Sequence, residues 1–576
     1  MKRALAIVAV AAALLAGCTG VPRSSAPETI EAVDTAGTSP TPTRATCLDC
    51  HERDIVTHFL DANAGTHATA TQYLTPAASS RWSDDTATII GNDYSVSTYN
   101  SRKQTVVVSG RVLGTLSVNG IYTPSLLGAG SGGEKQAFIF HLVHLTQGSR
   151  IDKLPAGLLL TDTQFRETYR QEVLYFDDRS ERALVPDLRW SALGDDRQLL
   201  AEWLLRQIVV GPRPDLVNAV SVDTMPAHVD PTQITVQLGS PTLIEIPGST
   251  ELDQGVRDRL AAQVSHTLDD ALAGGEMTIT DGGTPILIPH VTSDTFTAAE
   301  FASAAGPQAP TSEVFYLNDG QIRDEGGKVL SGGIAADTTL SSFAVSQAAP
   351  GRPLLVAGVT GSGSAASLWV GTRSAGLHST TVHGALSRPA FVPGRDEVWI
   401  GVGSALFRVV MDGSSVQTEP VPMQAVSGGG QVVAIRFSPE GSRVAIVVAG
   451  AQGAKQLYIG SIVRGGGHVR VDSLEAISPT GVVVTDVAWL DSFKLFAIGY
   501  LAATRESRTF ETGVDGTDWT SAGTGGLPDR PDSVTAATSS SVWVSASGFV
   551  WKQSGNSWTS AGSTGQTAGT SPVYLE

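Results

Sequence analysis

Cysteine is nearly absent from this chain of 576 residues: there are three, Cys18, Cys47 and Cys50. Cysteines confined to one end cannot staple the rest, so its stability has to come from apolar cores. Charge is also scarce, at 16% of residues, which excludes long charged helices and coiled coils. Basic residues are scarcer still. Against 56 Asp and Glu stand 39 Lys and Arg, leaving a net charge of −17. A surface this acidic repels phosphate backbones and anionic headgroups, so no nucleic-acid partner is expected and no basic patch can attach the chain to a membrane. Beyond the N terminus no apolar run approaches the roughly 20 residues needed to span a bilayer. Gly is plentiful, at 62, alongside Ser, Thr, Ala and Val, and the hydrophobic fraction is 41%. That mixture suits short strands and tight turns around real cores. At roughly 100–200 residues per domain, three or four folded units are expected.

The N terminus offers another route to a membrane. Lys2 and Arg3 precede an apolar run from Ala4 to Leu15, short for a span and suited to a signal-peptide core. Leu15-Ala16-Gly17-Cys18 then looks like a lipobox. Residues 1–17 are therefore expected to be a lipoprotein signal peptide and Cys18 the acylated first residue. Each buried methylene contributes about 0.8 kcal/mol, so several acyl chains hold firmly. The expected location is the extracytoplasmic face of the cell membrane. Residues 18–45, rich in Pro, Ser and Thr, read as an extended tether.

Cys47-Leu48-Asp49-Cys50-His51 spells the C-x-x-C-H spacing of c-type haem attachment, and Cys47, Cys50, His51 and His58 could also form a zinc set. With one copy at the end of a tether and no evident pocket, a local disulfide or two plain thiols outweighs both, and no cofactor is expected. Catalytic signals are weak elsewhere. There is no Gly-x-Ser-x-Gly elbow: in Gly361-Ser362-Gly363-Ser364-Ala365 a glycine stands where the nucleophile belongs. Asp486, Asp491 and the Asp177-Asp178 pair read as solvated turn carboxylates, and His266 as a surface or half-buried helix residue. Trp369, Trp399, Trp489 and Trp543 read as packing residues.

Along the chain, residues 46–170 read as an α+β unit: a helical pattern over 51–75, then strands such as Thr105–Val108 and Phe138–Val143. Residues 171–296 read as a second α+β unit. It has a helix over 195–208 burying Leu199, Leu200, Trp203, Leu204 and Ile208, and another over 253–273 with Val256, Leu260, Val264 and Leu268 at four-residue steps. Residues 297–312 read as a linker. From 313 to 576 the pattern becomes short strands with Gly, Ser, Asp and Pro between them. Aligning Ala344, Phe391, Phe437, Trp489 and Ala536 gives steps of 47, 46, 52 and 47 residues, the size of a four-stranded propeller blade. Five blades are evident. The strands after 313, closing with the C-terminal segment, make about six.

With this order in hand, the chain resembles the LpqB family of actinobacterial lipoproteins over nearly its whole length. The resemblance rests on the lipobox, Val21-Pro22-Arg23-Ser24-Ser25-Ala26-Pro27, Phe59-Leu60-Asp61-Ala62, Tyr73-Leu74-Thr75-Pro76-Ala77 and Trp82. It also rests on Leu184-Val185-Pro186-Asp187, the Gly211-Pro212 helix end and Ile234–Leu238. It implies an NTF2-like first domain, a GerMN-like second domain and a β-propeller. It further implies a non-enzymatic role beside the sensor kinase MtrB and its regulator MtrA, modulating signalling tied to envelope homeostasis and division. The expected partner is thus a sensor histidine kinase's extracytoplasmic domain. The alternative is an envelope protein that binds or hydrolyses glycan or peptidoglycan through the propeller funnel.

Overall fold

The computed structural model describes residues 50–576, apart from 65–66, 127–134, 181–182, 306–312, 335–337, 348, 350, 413–414, 427–428, 451–452, 538–540, 562–566 and 576. The expected signal peptide, the lipidation site Cys18, the tether and Cys47 lie outside the described residues. Thr46–Glu576 form one compact unit.

The first domain opens with a helix, Glu52–Asn63, whose buried residues Ile55, Val56, Phe59 and Leu60 form one stripe. The stripe lies on an antiparallel sheet ordered Ser95–Val96, Thr105–Gly110, Gln136–Leu145, Gly148–Lys153. Alternate residues of its central strands, Val106 and Val108, then Phe138, Phe140 and Leu142, point into that core. A second sheet carries the parallel pair Ala87–Ile90 and Leu158–Thr161.

In the second domain the helix Arg197–Val210 starts at Asp196, whose carboxylate accepts the Leu199 N–H at 3.1 Å, and stops at Gly211 with φ 104°. It packs beside Gln254–Leu272 on a four-stranded sheet. Leu199 departs from expectation and is 51% exposed. The buried stripe runs through Leu200, Ala201, Leu204, Leu205 and Ile208, with Trp203 half-buried at its edge, so Leu200, Leu204 and Ile208 fall where expected and Leu199 lies outside the stripe. The stretch read as a linker departs too. Ala298–Ala305 forms 3-10 turns, and Phe301 is buried edge-on against Phe296, with centroids 5.7 Å apart. A single aromatic among Ala and Ser leaves no periodic signal, yet its burial fastens the segment to the second domain.

Six sheets form the propeller. Their innermost strands are Leu340–Ser346, Ala390–Phe391, Gln431–Phe437, Val482–Trp489, Pro531–Ala536 and Thr570–Tyr574. All five residues aligned from the sequence fall on these strands. The sixth blade pairs Val314–Asn318 with Thr570–Tyr574, so the end of the domain closes on its beginning and protects the edges a propeller would otherwise expose. Trp399 is fully buried and meets Phe437 of the next blade at 5.1 Å and 88°, the packing role expected for it.

All three domains meet on one strand. Leu184–Ser191 is buried at every position, so it shows no in-out alternation. Leu184 and Val185 belong to the second domain's core. Leu188 lies in a propeller core and Trp190 in a first-domain core. Trp190 Nε1 also donates to Asp515 of the propeller at 2.9 Å. Between them Asp187 accepts Arg189 Nε and Nη2, both at 2.9 Å, and the Arg213 N–H at 2.7 Å. Arg189 donates further to the carbonyls of Asn119 and Gly211, and Arg443 of the propeller to that of Pro186.

Candidate functional site at the propeller mouth

Each innermost strand of the propeller breaks register near its start. Ladder pairing skips Ser341, Val433, Thr485 and Asp532 in four blades. In the C-terminal strand Ser571 and Pro572 stand opposite the single residue Tyr316. In the remaining blade three residues, Ser387, Arg388 and Pro389, oppose two between the pairs Leu386–Val402 and Ala390–Trp399. A β-bulge re-aims the side chain at the extra residue. Here six bulges turn Ser341, Arg388, Val433, Thr485, Asp532 and Ser571 onto one cavity of about 360 Å³ at the mouth of the central channel.

Asp486, next to the Thr485 bulge, anchors the cavity. It is 4% exposed, and both its oxygens accept Arg436 Nη2 at 2.9 Å. Arg388 Nη1 lies 3.4 Å from it, and the N–H groups of Val487 and Val534 donate to it at 3.0 Å each. The expectation that Asp486 is a solvated turn carboxylate is therefore corrected: the bulge beside it draws it into the channel, where two arginines and two backbone donors satisfy it. Among the described residues Asp532 makes no ion pair, although the Arg388 charge acts on it and favours its ionised form. Its Oδ1 accepts the Ser545 hydroxyl, and Ser545 in turn lies 2.7 Å from Ser533. Burial pushes the Asp532 carboxyl above its usual range, the Ser545 hydrogen bond opposes this, and the charge of Asp486 adds to it.

The other residues singled out in the sequence do not converge. Cys50 is disulfide-bonded and packs beside the first domain's core. His51 is exposed and precedes the first helix, its carbonyl accepting the N–H groups of Asp54 and Ile55. Among the described residues no three His, Cys, Asp or Glu side chains are grouped to hold a metal ion. Asp491 accepts the N–H groups of Phe493 and Lys494, as a turn carboxylate does. Asp177 is 6% exposed and paired with Arg259 at 3.2 Å, so it too is a buried partner and not a solvated turn residue. His266 is half-buried and donates from Nε2 to the Phe301 carbonyl. Arg388 and Asp532 were not legible as site residues. The blade alignment locates their strands, but nothing in residue type marks a bulge.

Family models agree with this architecture. "Lipoprotein LpqB, N-terminal domain" matches residues 48–166, and "Lipoprotein LpqB beta-propeller domain" matches residues 321–574. Lipoprotein LpqB of Mycolicibacterium smegmatis is 30% identical over 474 residues, covering 78% of this chain and 79% of the relative. That of Mycobacterium tuberculosis is 28% identical over 472 residues, covering 77% and 78%. Among solved structures, TolB from Acinetobacter baumannii aligns over 48% of this chain and 70% of its own, with 13% identity and a TM-score of 0.32. With both domain models matched in order and relatives aligned over three quarters of their length, the chain belongs to the LpqB family of lipoproteins.

Proposed function

We propose that this chain is a non-enzymatic envelope lipoprotein, anchored on the extracytoplasmic face of the membrane by an acylated Cys18. In this reading it binds the extracytoplasmic domain of an MtrB-like two-component sensor kinase and modulates signalling tied to envelope homeostasis and division. The lipobox and family membership support the anchor. No described helix is long and apolar enough to cross a membrane, so the lipid is the attachment this reading requires. The observation that carries the non-enzymatic part is Asp486. A carboxylate pair can work as acid and nucleophile only if both members reach a substrate. Asp486 is occupied by Arg436, Arg388 and two backbone N–H groups, which leaves Asp532 without a catalytic partner.

Cross-linking in intact membranes followed by mass spectrometry tests the partner: recovery of a sensor kinase is expected, and reproducible recovery of glycan alone, with turnover, overturns the reading. Labelled palmitate tests the anchor. It should enter the wild-type chain and not Cys18→Ala, and Cys18→Ala should leave the membrane fraction. The second reading, a protein that binds or hydrolyses glycan at the mouth, is favoured by its hydroxyl-rich lining and by the raised pKa of Asp532.

A further inference from the structure

Charge is not spread evenly along the chain. Residues 50–170 hold ten Lys and Arg against ten Asp and Glu, and residues 1–49 hold four of each, so the whole net charge of −17 lies in residues 171–576. Composition argues against a basic patch on the chain as a whole. The first domain escapes that argument, because a fold can segregate balanced charges onto different faces. It does so across the antiparallel sheet. Val106, Val108, Phe138, Phe140 and Leu142 point into the core, so the alternate residues Val107, Ile139, His141, Val143 and Leu145 share the outer face. Val107 stands opposite Ile139, and His141 stands between Thr105 and Lys153. Ile139 is 50% exposed and Leu145 48%, so this face is open to solvent.

Cations flank the apolar strip. The Asn100 side-chain oxygen accepts the Arg102 N–H at 3.2 Å and the Lys103 N–H at 3.1 Å, which fixes the turn between Ser95–Val96 and Thr105–Gly110. That turn and the strand beside it border an open cleft of about 570 Å³, whose lining includes Tyr99, Arg102, Lys103, Thr105 and Val107 and, among the described residues, no carboxylate. Among the described residues Arg102, Lys103 and Lys153 are exposed and make no ion pair. The nearby carboxylates are engaged elsewhere. Asp152 accepts the Thr75 hydroxyl at 3.0 Å, Glu52 lies 3.3 Å from His144, and Asp93 pairs with Arg111 and Lys135. An exposed isoleucine flanked by unpaired cations and hydroxyls complements a surface that is anionic outside and apolar beneath.

We propose that the outer sheet face of the first domain docks on an anionic membrane surface, with Ile139 at its apolar centre and Arg102, Lys103 and Lys153 against lipid phosphates. The proposal rests on the lipid anchor proposed at Cys18. An acidic protein would meet the same charges, and the tether is what favours the membrane. Residues 18–45 reach at most about 100 Å even when fully extended. The chain then enters the first domain beside this sheet, where Glu52 meets His144. Tethering raises the effective concentration of the face at the membrane, so a weak contact suffices. Residues 171–576, which carry the excess negative charge, are repelled by the same surface and held outward.

Residues 19–576, held on vesicles by an N-terminal hexahistidine tag and a nickel-chelating lipid, test this without acylation at Cys18. An environment-sensitive nitrobenzoxadiazole probe is placed at Ile139→Cys and, as a control, at Ser379→Cys on an exposed outer strand of the propeller. The signal of the labelled parent chain is subtracted. On vesicles containing phosphatidylglycerol the probe at 139 should brighten and shift to the blue, and on phosphatidylcholine alone it should not. The probe at 379 should read the same on both. Combining Arg102→Ala, Lys103→Ala and Lys153→Ala, all at exposed positions, should weaken docking by about fivefold per cation removed, and salt at about 0.5 M should abolish it. Equal emission on the two vesicles, a response at 379 as large as at 139, or a full response in the triple variant overturns the proposal. So does a response that appears only when a sensor kinase's extracytoplasmic domain is added, which assigns the face to a protein. Failure of palmitate labelling refutes the Cys18 anchor alone, because the tag replaces it here.

Discussion

Replacing Asp187 by Ala would test whether one strand holds the three domains together. Asp187 and Arg189 are both fully buried, and their paired hydrogen bonds of 2.9 Å are the bidentate arrangement that makes such a contact strong. Removing the carboxylate leaves a guanidinium out of reach of water and orphans the Arg213 N–H. Breaking a buried pair from one side costs about 3–5 kcal/mol, and an unsatisfied buried N–H about 1–3 kcal/mol. Arg189 keeps its carbonyl partners Asn119 and Gly211, which holds the expected total to about 3–5 kcal/mol. Urea unfolding of the full chain, followed by tryptophan fluorescence, is the assay, since Trp190 sits at the same junction. Limited proteolysis alongside it should show the domains separating before each one melts, because a chain of this size need not unfold in a single step. Removing both partners, as Asp187→Leu with Arg189→Met, should cost less than Asp187→Ala alone, because no charge is then stranded. A cost below about 1 kcal/mol for Asp187→Ala would be that of a surface pair and would refute the reasoning.

Three further outcomes follow from the same structure. Trp399→Ala empties a fully buried inter-blade site and should lower stability by about 3–5 kcal/mol in denaturant unfolding. Gly499→Ala would put a Cβ 2.0 Å from the Val483 carbonyl oxygen, on the strand that carries the Thr485 bulge. A loss of roughly 1–3 kcal/mol is expected, and a crystal structure should show that bulge displaced. Glu172 has its carboxyl raised above the usual range, chiefly by burial, with Ser191 opposing and Asp270 adding. A carboxyl raised in the folded state favours folding at low pH and disfavours it once pH exceeds its folded value. Glu172→Gln should therefore raise the melting temperature at pH 7, with the gain fading as pH falls towards the ordinary glutamate value of about 4.3.

Much of this architecture could be read locally. The blade spacing placed Ala344, Phe391, Phe437, Trp489 and Ala536 on innermost strands because each blade repeats the same buried inner strand, and repetition survives even when residue identities drift. Helix ends were legible at Gly211, where a positive φ suits a residue without a side chain. Phe301 was not legible, since one aromatic in a bland stretch has no period, and its burial depends on a core built far away in sequence. Leu199 was misplaced because it lies at the edge of an apolar stripe, and which edge is covered depends on the sheet and helix packed against it.

The sequence alone determined the domain order, the closed ring of about six blades, the acidic surface and the residues available for a lipid anchor. These follow from composition and period, which are properties of neighbours along the chain. Only the tertiary structure decided that Asp486 is held by Arg436 and Arg388, and that six bulges aim at one mouth. It also decided that the strand holding Asp187 and Arg189 joins three domains. Those facts depend on which groups come within hydrogen-bond distance across hundreds of residues. Desolvation then decides how strongly a buried carboxylate such as Asp486 depends on its partners.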